Sequence, residues 1–228
     1  MTFARTDEQR MLAETLDATF ARGAADWATA IEGNGLDALG IAEEAGGLGT
    51  SLRDAAVVAA ALGRTNAALP WAEHWVAKRY GARPAGDDAS ADALAVLHCA
   101  EIVGLCRTML RDTALFSHER RQFGVAIGSF QALRHRMADM AMMIEQAEAI
   151  TGAAIDALES LATDAPRAVS AARVTCDDAA RIVGEGAVQI HGAMGLTAEL
   201  RLAGYFRRAC ALRQGDGGAR AHLARYAA

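Results

Sequence analysis

Hydrophobic positions recur at helical spacing along nearly the whole chain. Thr6, with Glu8 and Gln9 just behind it, is followed by Met11, Leu12, Leu16 and Phe20 on one face, which predicts a capped helix running to about Arg22. A second short helical piece is expected near Trp27. Residues 35–64 read as helix, glycine turn and helix; Ser51 is placed to cap the second, and Leu52, Ala55, Ala59 and Leu62 form its inner stripe. Pro70 suits the first turn of another helix, which carries Trp71 and Trp75.

From Gly81 to Asp92 the pattern gives way to GARPAGDDASAD, a polar, turn-rich linker between two helical units, residues 1–80 and 93–228. Three long helices are expected beyond it, over about 91–119, 128–161 and 165–193. Their inner stripes are Leu94, Leu97, Ile102, Leu105 and Met109; then Phe130, Leu133, Met137, Met140 and Ile144; then Val169, Ala172, Cys176, Ala180, Val183, Ala187 and Ile190. Two shorter helices follow, over about 199–212 and from Gly217 onward. Long helices joined by short turns imply an all-α antiparallel bundle, preceded here by a smaller helical N-terminal domain.

Composition agrees with the periodicity: Ala, Leu, Met and Arg abound and there are only 3 prolines in 228 residues, so summed propensity favours helix. A hydrophobic fraction of 52% is enough for a substantial core. The net charge of −5 gives no general attraction to nucleic acid or to an anionic membrane, so a phosphate site would need local arginines. The N-terminus carries early acidic residues and no apolar leader core, and no later stretch reads as long and apolar enough to span a bilayer; a cytoplasmic protein is expected. Cys99, Cys106, Cys176 and Cys210 lack CxxC spacing and read as reduced, half-buried thiols.

Several patches have chemistry to offer. Arg120, Arg121, Gln122 and Phe123, with Gln131 nearby, sit at the junction of two long helices, where a guanidinium, an amide and a ring suit a ligand with phosphates and a flat heterocycle. The same residues would also make a solvated helix end with Phe123 packed inward. In EGAVQIHGAMGLT, Gln189 lies one turn before a glycine-spaced helix end whose small residues, Gly192, Ala193 and Gly195, allow close approach of a ligand or simply form a C-cap. Asp216, between glycines ahead of the last helix, is either an N-cap or a base with a raised pKa. Gly46 to Gly49 is a turn, without the pattern of a dinucleotide or phosphate loop.

These segments together resemble the acyl-CoA dehydrogenase family. ERRQFG followed by FQALRHRMADM is similar to that family's signature at its flavin-binding helices, and GAVQIHGAMGLT to its second signature. DEQRMLAETL and LGIAEEAGGLGTSLRDAAVVAAALGR are similar to its first helical domain, so the likeness covers most of the chain. The resemblance implies that Arg120, Gln122, Phe123 and Gln131 contact FAD across a subunit interface. It also implies that Gln189, Gly192 and Ala193, the last replacing a usual glycine, hold the adenine and pyrophosphate region of a neighbouring subunit's FAD. Asp216 and Gly217 fall where the family has its catalytic Glu-Gly pair.

The β domain that lies between the two helical domains in the family has no counterpart here, because the linker leads directly into a helix. The expectation is therefore an acyl-CoA dehydrogenase-like subunit acting on an acyl-CoA thioester, paired with a full-length paralogue or assembled as a homo-oligomer. The alternative is a structural or regulatory paralogue that keeps only the oligomer interfaces.

Overall fold

In a computed structural model, residues 3–21, 31–41, 43–81, 88–192, 195, 200–215 and 217–228 are described. The expected helical piece near Trp27, linker residues 82–87, Ala193 and Asp216 lie outside them. Among the described residues, eight α-helices run as α1 (Asp7–Ala21), α2 (Leu52–Thr65), α3 (Trp71–Tyr80), α4 (Asp88–Glu119), α5 (Gln131–Glu159), α6 (Ala165–His191), α7 (Leu202–Gln214) and α8 (Gly218–Ala227). A minimal antiparallel hairpin, β1 (Arg121–Gln122) and β2 (Val125–Ala126), joins α4 to α5 and forms the only sheet among the described residues.

Local chemistry sets the helix ends. Thr6 Oγ1 accepts from the Gln9 amide at 3.2 Å, and Gln9 Oε1 accepts in return from the amides of Arg5 and Thr6. Ser51 and Asp54 form the same reciprocal cap at the start of α2. The described residues of 35–46 are not an α-helix: they belong to a run of 3-10 turns, Glu32–Asn34, Leu36–Ala38 and Glu43–Ala45. Gly35, Gly40 and Gly46 at φ of 67°, 89° and 82° break the helical path that the apolar spacing implied. Helix α4 already begins at Asp88, so the end of the expected linker is helical. Its buried Asp92 pairs with Arg225 of α8 at 2.6 Å, close to the α4 N-terminus, where a carboxylate is favoured.

Helix α4 is the central element, packed against α2, α3, α5, α6 and α7. Its apolar stretch, Ala89–Glu119, does meet the length and composition for a membrane span, which corrects the reading of the sequence; most of it is buried inside this chain, against those neighbouring helices. At the α2–α4 crossing, a Cβ on Gly63 would collide with the backbone of Glu101, and one on Gly104 with the backbone of Ala60, so both helices approach to backbone contact. Buried charges are paired across helices. Glu101 takes Arg208 of α7 at 2.6 and 2.9 Å, and burial pushes its carboxyl up. Arg53 of α2 donates to Asp156 at 2.6 Å and to the Gly152 carbonyl at 3.2 Å.

Met140 is fully buried and Met137 and Met143 partly so, as core filling requires, whereas Met142 is exposed. Cys99, Cys106 and Cys176 are buried free thiols and Cys210 is half-buried; burial pushes Cys106 up to about 12.

Candidate functional site

Because short connections join α4 to α5 and α5 to α6, the three helices alternate in direction. The end of α4, the start of α5 and the end of α6 therefore share one end of the bundle. The hairpin stands there. Its two-residue loop is Phe123-Gly124, with φ of 54° and 82°, the double positive φ that a tight hairpin turn with right-handed strand twist demands. Asparagine or glycine ordinarily fills the first of those positions, since a bulky residue there costs about 1–2 kcal/mol. Phe123 nonetheless occupies it and is 90% exposed, its ring edge-on to Phe130 at 6.2 Å between centroids. Phe123 is thus turned outward, not packed inward, and a strained exposed aromatic of this kind points to a binding surface.

The other expected residues are arranged around it. Arg120, Gln122 and Gln131 are exposed; Arg120 is fixed through its backbone, its amide bonded to the Phe116 carbonyl at 2.9 Å and its carbonyl accepting from Ile127 at 2.8 Å. Gln131 is the first residue of α5. On α6, Gln189 is exposed and Gly192 ends the helix at φ 65° and ψ −147°, a conformation reserved for glycine, with its amide bonded to the Val188 carbonyl. A Cβ at Gly192 would meet nothing within 4 Å, so its backbone is open to a ligand. The two segments meet through the stacked rings of Phe116 and His191, 4.2 Å between centroids. A cleft of about 310 Å³ opens beside them, lined by Asp112, Phe116, Glu119, His191 and Arg201 among others. His191 is held in place by Nδ1, 2.9 Å from the Ala187 carbonyl. This end of the bundle thus carries an exposed guanidinium, amides, a ring and a bare glycine backbone, groups that could hold a ligand with phosphate oxygens, hydrogen-bonding edges and a flat heterocycle.

The turn between α7 and α8, described at Gly215 and Gly217, is elsewhere. Gly217 lines a cleft of about 550 Å³ with Ala91, Asp92 and Leu94 from the start of α4 and with His222 and Arg225 of α8. Helix α4 has 32 residues, which at about 1.5 Å each span about 48 Å, so this turn and the Arg120 face stand near opposite ends of the molecule. Not anticipated was a wholly buried pair on α6, Arg173 and Asp177, underneath the turn. The available signal was an arginine interrupting an apolar stripe between Val169 and Cys176.

Comparison with known proteins gives a consistent picture. Residues 90–228 match the family model described as acyl-CoA dehydrogenase, C-terminal domain. The acyl-CoA dehydrogenase IpdE2 of Mycolicibacterium smegmatis is 40% identical over 125 residues, 54% of this chain and 38% of that protein. The match spans between 17% and 38% of the length of the curated relatives, less than two thirds of any of them. Butyryl-CoA dehydrogenase from Megasphaera elsdenii is similar over 60% of this chain and 36% of that one, with a TM-score of 0.58 and 26% identity. A chain of the ChsE4–ChsE5 complex from Mycobacterium tuberculosis is similar over 100% of this chain and 98% of that one, with a TM-score of 0.83. At 16% identity that last likeness is one of fold.

Proposed function

This chain belongs to the acyl-CoA dehydrogenase family, and from that premise we propose that it is the short helical subunit of an FAD-dependent acyl-CoA dehydrogenase, assembled with a full-length paralogous subunit. Under this reading, residues 1–80 are an N-terminal helical domain, 81–92 a connection in place of the β domain, and 93–228 the C-terminal bundle. The partner supplies the β domain that covers the cofactor and the acyl-CoA thioester.

The observation that carries the reading is the separation along α4. The face bearing Arg120, Gln122, Phe123, Gln131, Gln189 and Gly192 and the turn described at Gly215 and Gly217 are further apart than one dinucleotide reaches, so one chain cannot apply both to one cofactor. The face therefore serves an FAD seated mainly on a neighbouring subunit. Arg120 neutralises phosphate charge, Gln122 and Gln189 donate to polar edges, and Phe123 covers an apolar surface from water. The open backbone at Gly192 lets the pyrophosphate approach closely. FAD, when bound, supplies the acceptor for the two electrons removed from the acyl group.

Where this chain itself contributes a base, Asp216 is the carboxylate that takes the α-proton of the thioester. The unlike-subunit form is favoured over a homo-oligomer by two facts: the described residues contain no sheet beyond the hairpin, and the fold matches a chain of the ChsE4–ChsE5 complex from end to end. Titrating the purified chain into a flavin-bearing paralogue tests it. Saturable association that raises acyl-CoA-dependent dye reduction is expected; no association and unchanged turnover refute the reading.

A further inference from the structure

Helix α5 ends at Glu159 with Ser160 as its cap, and the chain leaves it through two backbone hydrogen bonds: the Leu161 amide donates to the Leu158 carbonyl at 3.2 Å and the Ala162 amide to the Ala157 carbonyl at 2.9 Å. This pairing closes a helix when the residue after the cap is left-handed, a position most often held by glycine. Here it is Leu161, at φ 54°. A leucine in that conformation is strained, and its side chain recovers little by burial, being 88% exposed.

Leu161 stands on a cleft of about 500 Å³ formed by the start of α2, by α3 and by the end of α5. Its lining is largely apolar: Leu52 and Trp75 are buried and Leu158 is half-buried. Arg79 and Glu159 line it too, both exposed and of opposite charge. Among the described residues no ion pair joins them; Glu159 accepts from the Arg53 backbone amide at 3.0 Å instead.

An apolar knob, an apolar hole and one charge of each sign make this patch complementary to a copy of itself. About a two-fold axis every contact occurs twice, residue i on j and j on i. Leu161 of each copy then enters the cleft of the other, and Arg79 of each faces Glu159 of the other. Burial in the second copy's cleft offsets the exposure and the backbone strain that a single chain leaves uncompensated.

We infer that this end of the molecule is a self-association surface, on which two copies of the chain pair by exchanging Leu161 into each other's Trp75 cleft. Helix α5 has 29 residues, which at about 1.5 Å each span about 43 Å, so the surface lies far from Gln131 at the other end of that helix. Pairing therefore leaves the Arg120 face of each copy free, and it does not rest on the flavin reading of that face.

Sedimentation equilibrium of the purified chain over a wide concentration range tests it. A species of twice the 23.9 kDa chain mass is expected, dissociating on dilution. Leu161→Gly removes the knob and puts glycine where the backbone favours it. At dilutions where both proteins are monomers this variant should melt no lower than wild type. Its dimer Kd should nevertheless rise about a hundredfold or more, because burying one leucine is worth about tenfold or more and a two-fold interface counts it twice. Arg79→Glu should also weaken pairing, and adding Glu159→Lys should recover part of the loss.

A chain that stays monomeric at every concentration overturns the inference, as does a dimer that Leu161→Gly leaves intact. Loss of binding to a flavin-bearing paralogue in Leu161→Lys, with the wild-type chain monomeric by itself, assigns the cleft to that other subunit and likewise overturns self-pairing. The mass measurement involves no flavin, so failure of the pairing and failure of the proposed function are separate results.

Discussion

Replacing Gly104 by alanine adds one methyl group at the point where α4 crosses α2. The new Cβ would fall inside the van der Waals envelope of the Ala60 carbonyl oxygen, 3.1 Å from its carbon and 3.0 Å from the Arg64 nitrogen. These neighbours are backbone atoms of α2, so no rotamer change relieves the overlap and the helices must part. Overpacking costs about 1–3 kcal/mol, and contact with unyielding backbone puts this case in the upper part, about 2–3 kcal/mol, offset by about 1 kcal/mol from the better helix propensity of alanine. A net loss of about 1–2 kcal/mol corresponds to a fall in Tm of about 2–8 °C for a chain of this size. Gly152→Ala is the control: Gly152 is also buried in a helix interior, yet a Cβ there meets nothing within 4 Å. It should gain up to about 1 kcal/mol from propensity alone. Urea denaturation of both variants, with thermal melts alongside, reads the two signs. Gly104→Ala at or above wild-type stability would refute the backbone-to-backbone crossing.

Three further outcomes are expected. Asp156→Asn leaves Arg53 buried with carbonyl partners only and should cost about 1.5–3 kcal/mol at neutral pH. The hydrogen bond from Arg5, with that from Arg53, holds the Asp156 carboxyl below its ordinary range, so its contribution is complete above the unfolded pKa of about 4 and is lost as pH falls through the lower folded value. Melts from pH 7 to 3 should accordingly show the wild-type advantage closing below pH 4. Phe123→Asn relieves the positive-φ strain and loses one edge-on ring contact, so stability should change by under about 1 kcal/mol while flavin retention by the assembled complex drops. Arg120→Ala should leave the melt unaltered, its side chain being exposed, and weaken flavin retention about tenfold or more, as loss of a charge-assisted contact worth 1.5–3 kcal/mol would; unchanged retention would favour a paralogue that keeps only its interfaces.

The long helices were legible because their apolar stripes repeat at 3.6 residues and their caps are explicit, as at Thr6 with Gln9 and at Ser51 with Asp54. Residues 35–46 misled because leucines fall at helical spacing while glycines at left-handed φ decide the path. The outward ring of Phe123 was hidden for the opposite reason: nothing in RQFG says that a phenylalanine takes a turn position favoured by asparagine, and only the hairpin's register reveals it. Apolar content alone could not tell that the stretch within α4 is a core helix, since a membrane span and a helix surrounded by five others read alike. The distance between Gly217 and the Arg120 face follows from chain direction in the bundle, which composition does not carry. Arg173 was visible as a charge in an apolar stripe, but its carbonyl partners lie 39 and 42 residues away.

The most direct measurement is the visible absorption spectrum of the purified chain, alone and again after co-purification with a full-length paralogue. Flavin bands near 450 nm only in the co-purified complex, at stoichiometric amount, are the predicted result. Stable flavin in the chain by itself would contradict the claim that its binding face completes a neighbour's site, and flavin in neither preparation would contradict the assignment of that face to FAD.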